Sequence, residues 1–157
     1  PEKKYVTFDS VYPFTCRIPE NSHISPVESS EPGSVWFNLV FPDYNGSVNF
    51  SYKTIKGNLY QLTEDARDFA NKHIAKANEI KEMQVYHAEN KVYGLIYDIE
   101  GTNSASPYQF YLTDSTRHYL RGAVYFNHIP NNDSIAPIIQ RVKEDLDTLM
   151  ASLKWKN

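Results

Sequence analysis

The sequence predicts an α+β fold: an antiparallel sheet flanked by helices on both faces, a three-layer sandwich. Three observations predict it. Residues 92–99, 108–113 and 119–127 are rich in aromatic and β-branched side chains and are separated by the turn-forming strings GTNSASP and DSTR, the pattern of a β-meander. The first of these strands is apolar on both sides, with Tyr93, Leu95, Tyr97 and Ile99 on one face and Val92, Gly94 and Ile96 on the other, whereas a sheet covered on one side only carries a polar face. One helical pattern precedes the meander and another follows it, which supplies a cover for each face.

Taken in chain order, residues 1–12 are polar with isolated aromatics, and residues 12–18 alternate as a first short strand ending at Pro19. Pro19, Pro26, Pro32 and Gly33, with Ser and Glu between them, predict a loop over 19–33. Residues 35–41 set Val35, Phe37, Leu39 and Phe41 against Trp36, Asn38 and Val40, which is strand periodicity. Pro42-Asp43-Tyr44-Asn45-Gly46 is turn chemistry, and Val48, Phe50 and Tyr52 then alternate with Asn49, Ser51 and Lys53, so residues 35–55 predict a hairpin. After Gly57 the pattern becomes helical. Leu59, Leu62, Ala66, Phe69, Ala70, His73, Ile74, Ala77 and Ile80 share one stripe, predicting a helix over 64–80 capped by Thr63, with Glu64 and Asp65 in its first turn. A short strand over 83–87 and a turn at Glu89-Asn90 lead into the meander. The second helix, over 134–153, has Asp133 or Ser134 as cap, Pro137 in its first turn, and Ile138, Val142, Leu146, Leu149 and Leu153 spaced for burial, with Trp155 anchoring its end.

A chain of 157 residues fits one domain spanning residues 1–157, in which roughly 70% of the unfolded surface becomes buried. Aromatic residues make up 14%, a high share that agrees with a strand-rich fold. The formal charge of -3, with Lys and Arg scattered, gives no electrostatic reason to bind a phosphate backbone, so nucleic acid is not expected as a partner. No run of about 18 apolar residues predicts a membrane-spanning helix. The sequence starts at Pro1 without Met, and we expect a mature or trimmed form whose upstream residues include any signal peptide. Cys16 has no cysteine to pair with and is expected as a semi-buried strand residue, because Pro13, Phe14 and Thr15 lack the small residues of a lipid-acceptor site.

Asp114, Ser115 and His118 invite a hydrolase reading, but all three occupy one tight turn, where Asp and Ser are expected to make turn hydrogen bonds. No catalytic residue is expected. The histidines, His23, His73, His87, His118 and His128, form no pair four apart and no zinc frame, and Asp43, Asn45 and Gly46 lack the later glutamate of a calcium loop, so neither metal nor cofactor is expected. His73, on the apolar stripe, reads as a core or boundary histidine. Arg121 to Phe126 has the look of an RNA-binding strand, yet acidity and element order favour a core strand. Asp98 and Arg121 leave two readings open. They pair with each other across the meander, or Arg121 joins Tyr97, Tyr111 and Tyr125 in a polar-aromatic recess for a ligand or peptide. Those four are the candidate binding residues.

The strings KVYGLIYDIEG, PYQFYLTDSTRHYLRGAVYFN and NDSIAPIIQRVKEDLDTLMASLKWK resemble the gliding-motility lipoprotein family GldD of Bacteroidetes bacteria. YVTFDSVYPFTCRIP, VWFNLVFPDYNGSVNFSYKTI and LTEDARDFANKHIAKAN extend the resemblance over nearly the whole chain. The resemblance implies a lipoprotein acylated on a cysteine upstream of Pro1, with its domain on the periplasmic side of the cell envelope. It implies envelope motility or protein-secretion proteins as partners and no enzymatic activity. The alternative is a periplasmic small-molecule or peptide-binding module. The element order is also similar to the Mog1/PsbP-like sandwich, an analogy of fold that says little about chemistry.

Overall fold

The computed structural model describes residues 3–72, 79–100, 106–127 and 132–157. Two antiparallel sheets and two helices make up a β-rich α+β fold. β1 (Tyr5–Asp9), β2 (Phe14–Pro19) and β10 (Lys154–Trp155) form a three-stranded sheet in the order β1-β2-β10. β3 (His23–Val27), β4 (Ser34–Phe41), β5 (Gly46–Thr54), β6 (Glu79–His87), β7 (Val92–Glu100), β8 (Tyr108–Thr113) and β9 (His118–Phe126) form a seven-stranded sheet in the order β3-β4-β5-β9-β8-β7-β6. The helices are α1 (Leu59–Asn71) and α2 (Asn132–Ser152).

The period-two patterns of the sequence become two rows of side chains across the large sheet. Register aligns Phe37, Phe50, Gly122, Phe110 and Ile96 in one row. Phe50 meets Phe110 edge-on, ring centroids 5.8 Å apart at 70°, the arrangement that the ring quadrupoles favour. Gly122 makes that row possible, because a Cβ there would run into the Phe110 ring. Onto the same side come Phe14, Cys16 and Ile18 of β2 and Val142, Leu146, Leu149 and Leu153 from α2 and its end, closing a continuous buried core. Burial pushes the Cys16 thiol up to about 12. The opposite face carries Tyr97, Tyr111, Tyr119 and Arg121. Here α1 makes the contacts: the Tyr119 hydroxyl donates to the Leu62 carbonyl at 3.0 Å, and Phe69 lies under the Arg121 guanidinium.

The meander and the hairpin stand close to their expected limits, but several elements do not. A second sheet exists because β1 and β10 form on either side of β2, outside any expected strand, and β3 joins the large sheet from within the expected loop. β3 contains Pro26 within the expected loop, and an edge strand tolerates that proline because only one of its sides needs ladder hydrogen bonds. The first helix starts at Leu59, five residues earlier than expected and well before Thr63, whose hydroxyl instead donates to the Tyr60 carbonyl at 2.8 Å. Gly57 at φ +71 turns the chain, and Asn58 occupies the N-cap position. The helix ends at Asn71, and Ile80, expected on its stripe, belongs to β6. His73, Ile74 and Ala77 lie outside the described residues, as do the side chains of Asp133 and Ser134. β6 begins at Glu79, because pairing with β7 along its whole length overrides a charged composition.

The ion pair expected between Asp98 and Arg121 is not made, because the two side chains point to opposite sides of the sheet. Asp98 lies on the same face as Phe110 and bonds Lys143 of α2 at 2.7 Å, whereas Arg121 stands on the other face. The α2 stripe buries Val142, Leu146 and Leu149, with Leu153 fully buried just after the helix. It also buries Asp145, which the sequence did not mark. That carboxylate accepts from the Tyr5 hydroxyl at 2.8 Å and pairs with Lys3 at 3.1 Å, satisfying a charge that burial would otherwise penalise. Trp155 anchors the end as expected: its indole N–H donates to the Lys91 carbonyl at 2.9 Å, and its ring stacks on His118, centroids 4.9 Å apart.

Candidate functional site

A groove of about 410 Å³ runs between α1 and the β4-β5-β9 part of the large sheet. Its walls are Trp36 of β4, Ser51 and Lys53 of β5, Tyr119 and Arg121 of β9, and Phe69 of α1. The strand residues meet because each stands in the row opposite the core: Trp36 pairs with Ser51, and Ser51 with Arg121. Nothing in the period-two pattern of Ser47, Asn49, Ser51 and Lys53 calls for a cover, and all but the exposed Asn49 are half-buried.

Arg121 is held from below. Its guanidinium carbon sits 4.3 Å from the Phe69 ring centroid, a cation–π contact in a partly desolvated place. The Lys53 ammonium pairs with Glu31 at the groove mouth. Hydrogen bonding to Lys53 holds the Glu31 carboxyl below its ordinary value, with Arg121 adding to the effect through its charge. Asp65, Asp68 and Lys72 complete the rim. The groove therefore offers three carboxylates, three cations and three aromatic surfaces, a lining that suits a ligand or peptide with both polar and apolar parts.

Of the four residues singled out from the sequence, Arg121 lines this groove. Tyr111 is its cross-strand neighbour and lies behind the groove wall, its ring stacked on Tyr119 at 5.7 Å and 26°. Tyr125 stands half-buried on the same side of β9, one turn of the pleat beyond Ala123. Tyr97 is buried in the same row, and burial, with the nearby Tyr111 and Glu82, pushes its hydroxyl up to about 12. Trp36, Lys53 and Tyr119 were missed. The alternation of residues 35–41 already set Trp36 apart from the core row, but the approach of α1 that turns that row into a wall carries no local signal.

The Asp114 turn is a hydrogen-bonded corner. Asp114 Oδ1 accepts the backbone N–H groups of Thr116, Arg117 and His118 at 3.1, 2.8 and 2.9 Å. Burial works against the charge, yet these three bonds hold the Asp114 carboxyl below its ordinary value. His118 turns away from Ser115: its Nδ1 is 2.6 Å from the Tyr52 hydroxyl and its ring lies on Trp155. A wider hollow of about 630 Å³ beside this turn is lined by Lys91, Arg117 and Trp155, and another of about 500 Å³ lies between Lys4, Tyr44 and Arg141. Both are more open than the Arg121 groove.

Among the described residues no helix is long and apolar enough to cross a membrane. No curated protein matches the chain, and no solved structure does. The family model for the gliding motility lipoprotein GldD matches residues 1–155, so the chain belongs to that family of envelope-attached lipoproteins.

Proposed function

We propose that this protein is a non-enzymatic assembly component of the envelope machinery for gliding motility and its associated protein secretion, held by a lipid anchor upstream of Pro1 with its domain in the periplasm. The observation that carries this reading is the unequal cover of the large sheet. One side is closed by apolar packing, while the other leaves Trp36, Tyr111, Arg121 and Tyr125 half-buried. Such a polar-aromatic surface suits recognition of another protein. The same reading takes residues 1–157 as one domain of the Mog1/PsbP-like three-layer type, supported by the core that runs from β2 through α2 to the large sheet and by α1 on the other row.

An anchor confines the domain to the membrane surface and raises its effective concentration near partners there. The test is made in a gliding relative whose chromosomal copy is replaced by a soluble periplasmic version lacking the acylated cysteine. Loss of gliding and secretion at normal protein abundance is expected. Parental behaviour would overturn the anchored component in favour of a freely diffusing binding module. That second reading, a small-molecule or peptide-binding module, is favoured by one feature, the mixed-charge aromatic groove at Arg121. An anchored Arg121→Glu variant that folds but does not glide would tie function to the groove.

A further inference from the structure

Among the described residues, the half-buried lysines and arginines each meet an oxygen of the chain, Arg121 apart. Lys3 pairs with Asp145 and Glu144, Lys53 with Glu31, Lys143 with Asp98 and Lys156 with Asp9, while the Arg141 guanidinium donates to the Tyr44 hydroxyl. Arg121 lies over Phe69 with no carboxylate and no hydrogen-bond acceptor of the described residues beside it. The ring fixes the plane of the guanidinium and answers part of its charge, but it takes none of the in-plane N–H donors.

The neighbours of Arg121 are short of acceptors too. Register sets Val27, Trp36, Ser51 and Arg121 side by side on four adjacent strands, β3, β4, β5 and β9. Trp36 and Ser51 are half-buried, yet neither the indole N–H nor the hydroxyl has a hydrogen-bond partner among the described residues. Indole and guanidinium can only donate. The carboxylates that line the groove are exposed residues of its rim, where Glu31 pairs with Lys53 and Asp65 accepts from Gln61 at 2.9 Å. The floor is therefore a row of donors, and it turns apolar at Trp36 and at Val27, which is 39% exposed.

Charge and shape narrow the acceptor that this row takes. With Glu31, Asp65 and Asp68 set against Lys53, Lys72 and Arg121 the lining is formally neutral, so one added negative charge is met by the unpaired guanidinium and a second is not. A planar carboxylate offers the guanidinium fork two parallel bonds. We propose that Arg121, with Ser51 and Trp36, binds the single carboxylate of a ligand whose apolar part lies toward Trp36. Trp36 and Arg121 stand two strand spacings apart, about 10 Å, the reach of a short aryl acid or of the last two residues of a polypeptide. This rests on the reading of the groove as a binding site and names the group that it takes.

The probes are phenylbutyrate, a free acid, and N-acetyl-glycyl-phenylalanine, a chain end, each beside its neutral amide. The readout is a proton–nitrogen correlation spectrum of isotope-labelled residues 1–157. Both acids should shift the Arg121 Nε–H and Trp36 Nε1–H resonances saturably, and the amides should bind about tenfold more weakly. The tighter acid identifies the source as a free acid or a chain terminus. Arg121→Gln should weaken acid binding about tenfold with the remaining spectrum unchanged, and Arg121→Lys, which keeps the charge without the fork, by less. Should Arg121→Gln fail to fold, the comparison of acid with amide on the parent chain decides alone. Equal binding of acid and amide would overturn the carboxylate assignment while leaving the groove a binding site, and inorganic phosphate binding more tightly than either acid would overturn the single charge. No shift at either resonance with any probe at millimolar concentration would also overturn the proposal. The groove reading itself is judged separately, by gliding of the anchored Arg121→Glu variant.

Discussion

Phe110 and Tyr111 are neighbours in β8 and serve different sides of the sheet. Phe110 is 1% exposed, packed between Phe50 and Gly122 and roofed by the α2 layer, whereas Tyr111 is half-buried against Tyr119 and faces the α1 side. The helices explain the difference. α2 spans 21 residues and brings branched and unbranched aliphatics, with β2 adding Phe14, Cys16 and Ile18 beside it. α1 spans 13 residues and presents Leu62, Ala66 and Ala70 as its buried face. Both sides of the meander bury residues, Tyr97 and Tyr119 on the α1 side among them, yet that side also leaves Tyr111, Arg121 and Tyr125 half-buried. The lesson is that two-sided apolarity marks a strand near the middle of a sheet without saying which side holds the fold together and which meets a partner.

The sharpest way to break that contrast is to remove residues 153–157. Leu153 is fully buried and Trp155 stacks on His118, so both belong to the packed side. A loss of roughly 5 kcal/mol is expected, a large share of a typical total of about 5–15 kcal/mol, and thermal unfolding would show it. An unchanged melting temperature would mean that the packed side does not depend on its C-terminal closure. A finer comparison substitutes the two neighbours. Phe110→Ala should cost about 3–5 kcal/mol in denaturant unfolding, and Tyr111→Ala about 1–2 kcal/mol, its stacked pair and partial burial being worth less. Equal costs would abolish the distinction between the sides.

A smaller effect tests the Asp114 corner, which belongs to neither side. Its carboxyl is held below the ordinary value of 3.8, so the charged form is favoured by folding and contributes stability that is fully present above about pH 4. That contribution is lost as pH falls through the depressed value of the folded state. Asp114→Asn should therefore be less stable than the parent at neutral pH, and the gap should close on acidification below about pH 4. A gap that widens there would reverse the assignment. The smallest effect concerns Ser115, whose φ of 75 is left-handed. Ser115→Gly should change stability by less than about 1 kcal/mol, because relief of strain is set against a freer unfolded chain. In a gliding strain Ser115→Ala should leave motility intact. Loss of motility together with covalent labelling of Ser115 by an acylating probe would restore a catalytic role to the turn.

The meander, the hairpin and the helix stripe of α2 were legible because they depend on local periodicity over long windows, where burial on a defined face repeats every second or every third to fourth residue. β3 and β6 were illegible or only half legible because an edge strand is stabilised from one side by its neighbour's backbone, which leaves its own composition free to include Pro26 or Glu79, Lys81 and Glu82. The expected first helix lies too far toward the C-terminus because Ile80, a β6 residue, fits a helical spacing by coincidence, while Gly57 and Asn58 mark the true start. Of the candidate site, the sequence singled out Arg121 and its tyrosine neighbours through the oddity of a charge in an apolar strand.

By itself, then, the sequence determined an antiparallel α+β fold, which strands carry its core, and the family to which the chain belongs, all properties written in contiguous residues. Only the tertiary structure decided that Asp98 turns to Lys143 while Arg121 turns to Phe69, that Trp36 and Lys53 join Arg121 in one groove, and that β3 and β6 are the two edges of the large sheet. The physical reason is that side-chain parity is local, but the identity of what lies across a sheet face or beside a sheet edge is set by strand order and helix placement, which join residues dozens of positions apart.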